Sequence, residues 1–258
     1  MVEPTSVAPV PVVPPPASTV RARLMAVVRT RRTARFHLGA LWFPVTYTYL
    51  TLLVAVATTL TLVSAPLETR IVLHASTNLN NLVNGRISTF VSSALVVGSD
   101  LVTLSIVPLL GCLLALAERR FGAWKLVRTF LFGHIGATVL VAVGLWIAVE
   151  SHWLPNSITH VEDVGVSYGA MAVVGALVVV LPRQWRKVWV LGWLAVALGG
   201  VFLWQTFTNV GHLVALCLGL VLGYFMLHRR AVPLHPLNRP EWALLLGGSA
   251  LACVMLLG

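Results

Sequence analysis

Charge is what this sequence has least of. Only 10% of its 258 residues are Asp, Glu, Lys or Arg, against about 25% in an ordinary soluble domain. Acidic residues are the scarcest, eight in all, and they avoid the apolar runs: Asp100, Glu118 and Glu150 stand at run boundaries. A transporter or channel that relays ions or protons on intramembrane carboxylates therefore has no support. Cysteine is almost as rare. Cys112, Cys217 and Cys253 lie in apolar stretches without CxxC spacing, which excludes a disulfide framework or a thiolate metal site and reads as buried thiols.

Apolar residues make up 58% of the chain, with a mean hydropathy of +0.89. That balance belongs to an all-α polytopic membrane protein. Runs of membrane-spanning length, about 20 residues, fall at 43–63, 97–117, 127–149, 165–182, 187–205 and 209–227. A shorter stretch, 242–258, is a candidate seventh helix. Val63-Ser64-Ala65 has the small residues of a signal-peptide cleavage site, but Pro66 follows and the run before it is too long.

The net charge of +10 does not mark a nucleic-acid binder, because the basic residues sit in clusters between apolar runs. Alternate loops hold Arg119, Arg120, Lys125 and Arg128, then Arg183, Arg186 and Lys187, then Arg229, Arg230 and Arg239. With the N-terminal arginines these make 16 of the 18 basic residues, leaving Arg70 and Arg86 for the other side. Basic loops stay in the cytoplasm, which predicts six spans in the plasma (inner) membrane with the N-terminus inside. Residues 1–20, rich in proline, read as a disordered tail. Residues 21–41 read as a basic juxtamembrane segment resting on anionic headgroups. The transmembrane domain is expected over 42–228, with a basic loop and the candidate seventh helix over 229–258.

Two outer loops differ from the rest. Residues 64–96 are too polar to span and too apolar to wander, so an interfacial or re-entrant course is expected. The loop 150–164 contains His152, His160, Glu162 and Asp163, but no metal-ligand spacing. No metal or cofactor is implied.

The stretch DVGVSYGA, Asp163 to Ala170, places Ser167 at the outer end of the fourth span, and the sixth span begins near His212. Both belong at similar depth below one membrane face. A serine hydroxyl becomes nucleophilic when a neighbouring base takes its proton, and no acidic residue is at hand to make the pair a triad. In the sixth span Ala215, Gly219 and Gly223 follow His212 on one helical face. In the fourth, Gly165, Gly169, Ala172 and Ala176 recur at i, i+4. Small-residue faces let helices approach closely in lipid. Read separately, each feature is ordinary membrane-helix packing; read jointly, they suit a Ser–His dyad. His134, in the third span, reads as a packing or hydrogen-bonding histidine.

These motifs resemble the rhomboid family of intramembrane serine proteases. Pro44-Val45-Thr46 is similar to the family's first-span start, and Glu118-Arg119-Arg120-Phe121-Gly122 with Lys125 to its turn after span two. Gly165-Val166-Ser167 with Gly175-Ala176 is similar to the nucleophile helix, and Gly211-His212 with Ala215, Gly219 and Gly223 to the histidine helix. The resemblance implies a six-helix bundle in which Ser167 attacks transmembrane segments of membrane proteins and His212 is the general base. The sequence departs where family members carry oxyanion donors, at Val102 and Ile106. It also has Tyr168 in place of the glycine after the serine, and Met171 in place of the tyrosine that stacks on the histidine. Thr103 or Ser105 are the nearby substitutes. Two functions follow as expectations: proteolysis by the dyad, or binding of transmembrane helices without cleavage, affecting their folding, traffic or turnover.

Overall fold

The computed structural model describes residues 42–97, 101–229 and 235–257, with the backbone alone for 101–105 and 257. The expectations for 1–20 and 21–41, and for the side chains of Val102, Thr103 and Ser105, lie outside the described residues.

All regular structure among the described residues is helical. Helix α1 (Pro44–Thr61) leads into three short helices, α2 (Ala65–Ala75), α3 (Leu79–Val83) and α4 (Thr89–Ser92). The bundle continues with α5 (Leu101–Phe121), α6 (Ala123–Glu150), α7 (Ser167–Ala176, prolonged by a 3₁₀ turn to Val180), α8 (Arg183–Trp204) and α9 (Phe207–His228). It closes with α10 (Arg239–Leu257). Helices α1, α6, α8 and α9 are each long and apolar enough to cross a bilayer. The six apolar runs expected to span fall on α1 and α5 to α9, and residues 242–257 of the candidate seventh helix lie within α10, which starts at Arg239.

The boundaries moved where charge is satisfied by the fold. Hydropathy ends the second span at 117, but α5 runs through Glu118, Arg119 and Arg120 to Phe121. Glu118, 6% exposed, accepts from the backbone amides of Val45 (3.1 Å) and Thr46 (2.8 Å) and from the Thr46 hydroxyl (2.7 Å). It thus satisfies orphan donors of the first turn of α1 and puts negative charge at that helix's positive end. Arg119 pairs with Glu241 at 3.0 Å. Arg120 pairs with the same carboxylate and donates to the carbonyl of His235 at 2.8 Å. These contacts hold the start of α10 beneath the end of α5. Higher up, Gly247 and Gly248 bring α10 against Cys112 and Leu113 of α5.

Helix α7 lies at the centre, with every residue from Tyr168 to Ala176 buried, and packs closely against α6 and α9. It has no polar face after Ser167, so it can be enclosed on all sides. Glycine permits the approach: a Cβ at Gly219 would strike the Ala172 carbonyl, and one at Gly175 the Leu216 carbonyl. The expected stripe on α7 is only partly on this seam. Gly169 faces the Phe130 ring of α6, and Gly165 precedes the helix with φ +113°. Cys217 and Cys253 are exposed on the bundle surface and Cys112 is half-buried. That corrects the expectation of buried thiols, because an apolar residue of a membrane bundle can face lipid as readily as the core.

Candidate active site

Residues 64–97 form a folded cap, and their polar side chains explain it. Asn78 caps α3, accepting from the amide of Asn81 at 2.8 Å. The buried Asn81 amide donates to the carbonyls of Leu73 (2.8 Å) and Ser76 (2.9 Å), closing the turn on itself. Two ties then reach the chain leading into α7. Thr77 donates to the Asp163 carbonyl from its amide (3.0 Å) and its hydroxyl (2.9 Å), while the Asp163 amide donates to Ser76 Oγ at 2.8 Å. The Gly165 amide donates to the Ser93 carbonyl at 2.8 Å. Ser93 Oγ and His134 Nε2 share a hydrogen bond of 3.1 Å, anchoring the cap on α6. His134 is thus hydrogen-bonded and stacked on Phe130.

Ser167 is the first residue of α7, half-buried at the helix mouth. The first amide bonded back along this helix start is Ala170, to the Val166 carbonyl at 2.9 Å. The amides of Ser167, Tyr168 and Gly169 precede it and belong to the donors that a helix start leaves unpaired.

His212 lies in the second turn of α9, 4% exposed; the helix begins at Phe207, five residues before it. Its Nδ1 is 3.3 Å from Asn209 Oδ1. The Asn209 amide nitrogen points the other way, donating to the Gly200 carbonyl at 3.4 Å. Oδ1 is therefore the atom offered to His212, and Nδ1 carries the proton of that bond. Nε2 is left with its lone pair, buried and without a hydrogen-bond partner.

Next to Ser167 in the chain comes Tyr168. Its ring meets the imidazole edge-on, centroids 5.6 Å apart and planes at 80°. It fills the space where a side chain at position 211 would stand, so a larger residue than Gly211 would displace the ring. The Tyr168 hydroxyl feels the charge of Asp163 without closing a well-formed hydrogen bond. Burial pushes the Asp163 carboxyl up to about 6, against Tyr168 and Thr77, which pull it down.

The structure thus brings the starts of α7 and α9 together through Tyr168, Gly211 and His212, and forms no Ser167–His212 hydrogen bond. Ile106 is a partly buried core residue with no donor to offer. Among the described residues no three His, Cys, Asp or Glu side chains cluster as a metal site. Sequence reasoning missed Asn209 and the positions of Tyr168 and Asp163. The one available signal was a polar residue three positions before His212, on the same face.

The family model for rhomboid-like proteins matches residues 41–231, well over half of the chain. The chain belongs to that family. No curated protein and no solved structure matches it.

Proposed function

We propose that this rhomboid-like integral membrane protein is an intramembrane serine protease with Ser167 as nucleophile and His212 as general base. One observation carries the reading: His212 turns Nδ1 to Asn209 and keeps a free Nε2 lone pair at the depth of the α7 mouth. A catalytic base needs that tautomer, and Asn209 replaces the absent acidic residue as the group that orients the ring. In the reaction Ser167 Oγ adds to the carbonyl carbon of a locally unwound substrate helix as its proton passes to His212 Nε2. The imidazolium returns the proton to the leaving amide nitrogen as the C–N bond breaks. Water then hydrolyses the ester by the same proton route. The Ser167 amide and the positive end of α7 are the oxyanion donors this chain offers. A Ser–His bond that closes only with substrate bound fits the looser geometry of resting sites. The basic end of the bundle faces the cytoplasm, and the segment 21–41 rests on anionic headgroups.

A second reading, a helix-binding protein without proteolysis, is favoured by Ile106 at an expected oxyanion position. Each missing donor costs on the order of 100-fold in rate. A fluorophosphonate probe on the purified protein in detergent decides between them. Labelling of the wild type that vanishes in Ser167→Ala and His212→Ala supports the dyad; no labelling, or equal labelling in all three, supports the helix binder.

A further inference from the structure

At the basic end of the bundle α8 and α10 run parallel from their N-termini and touch only sparsely, because α10 packs mainly on α5. The gap is a groove of about 390 Å³, about 850 Å³ with its open mouth. Four tryptophans line it: Trp185, Trp189 and Trp193 from α8, and Trp242 from α10. Trp189 and Trp193 are set edge-to-face at 5.6 Å, and the Trp189 indole donates to the Val174 carbonyl at 3.1 Å, so this wall is fixed. Midway, Gly192 leaves open space where a Cβ would stand.

Two arginines lie close to groove-lining residues at this end. Arg186 donates from Nε to the carbonyl of the groove-lining Leu181 at 3.0 Å. Arg239 opens α10, three residues and so about one turn before Trp242. Neither has a carboxylate partner among the described residues, whereas the nearby Glu241 is taken by Arg119 and Arg120. Both helix N-termini add positive potential at the same end.

We propose that this groove is a binding site for an anionic phospholipid, one acyl chain lying along Gly192 between the tryptophans and the headgroup phosphate at Arg186 and Arg239. A transmembrane helix is too large: about 10 Å across and three turns long, it would need about 1,300 Å³. An alkyl chain is narrow enough to enter, tryptophan belongs at headgroup level, and unpaired arginines between helices recognise anionic headgroups. The inference is independent of the protease reading.

Native mass spectrometry of the full-length protein in detergent, titrated with phosphatidylglycerol or phosphatidylcholine, tests it. The expected result is a phosphatidylglycerol adduct retained in preference to phosphatidylcholine. Arg186→Gln and Arg239→Gln should each weaken it about fivefold, with Arg186→Lys and Arg239→Lys largely restoring it. Gly192→Leu, and independently Ser249→Leu on the opposite wall, should abolish the adduct with both arginines intact. Wild-type melting by tryptophan fluorescence certifies each variant as folded, and either plug alone suffices. Equal retention of the two lipids overturns the proposal. So does a phosphatidylglycerol adduct that survives a folded plug variant, since the lipid then sits elsewhere.

Discussion

Tyr168 and His212 meet edge to face across the α7–α9 seam, and two of their polar atoms, the tyrosine hydroxyl and the histidine Nε2, are buried without hydrogen-bond partners. Buried unpaired polar atoms are costly, so the pair marks a place where the fold keeps polar capacity unspent. If the ring is what holds the imidazole, Tyr168→Phe should leave fluorophosphonate labelling within about twofold. Tyr168→Ala should lower labelling at least tenfold and cost about 3 kcal/mol in stability. Equal losses in both variants would assign the effect to the hydroxyl instead.

Asn209 is predicted to act through the tautomer of His212. Asn209→Ala removes the Nδ1 acceptor and should cut labelling at least tenfold, while Asn209→Asp retains an acceptor and should preserve it. Labelling rates across pH 6–9 provide the check. An alanine variant that labels like wild type would remove Asn209 from the mechanism.

Asp163 predicts a pH dependence of stability. Its carboxyl titrates near 3.8 when unfolded and near 6 in the fold, so the folded state binds the proton more tightly. Its contribution is fully present below about pH 3.8 and is lost as pH rises toward 6. The loss is on the order of 3 kcal/mol. Melting of the wild type should fall across that window, and Asp163→Asn should flatten the curve. Parallel curves for the two proteins would contradict this assignment.

The helix seam predicts unequal tolerance of glycine substitution. Gly219→Ala drives a methyl into the Ala172 carbonyl and should destabilise by about 1–3 kcal/mol. Gly192→Ala meets open space and should stabilise slightly, by about 0.5–1 kcal/mol, through helix propensity. Melting temperatures of the two variants should move in opposite directions.

Glu118 predicts the hold of α1 on the bundle. Glu118→Ala leaves the Thr46 hydroxyl and amide buried without an acceptor and should cost about 2–3 kcal/mol. Glu118→Gln, which keeps one acceptor oxygen, should cost less. Hydrogen exchange of the Val45 and Thr46 amides reports the release directly.

Much of the architecture was legible because hydropathy and glycine spacing are local. The fourth span, expected at 165–182, is helical from Ser167 to Val180, and the fifth and sixth agree within a few residues. The misplaced end of α5 shows what local reading omits: Glu118, Arg119 and Arg120 look like a loop until Thr46 and Glu241 are found beside them. The expected small-residue stripe failed in the same way at Gly169, whose neighbour is a ring of α6. Spacing reports which residues share a face; it does not say which helix that face meets.

By itself the sequence determined a helical membrane bundle, because apolar runs of this length leave the backbone no other way to satisfy its hydrogen bonds in lipid. It also placed Ser167 at a helix start, through the glycine that precedes it and the apolar run that follows. Only the tertiary structure decided what His212 faces. Asn209 orients it, Tyr168 covers it, and the cap holds Asp163 and Gly165 in line. The Asn209 contact is local, one turn along α9, but the Tyr168 and cap contacts join segments far apart in the chain, and their geometry follows from how closely α7 and α9 pack.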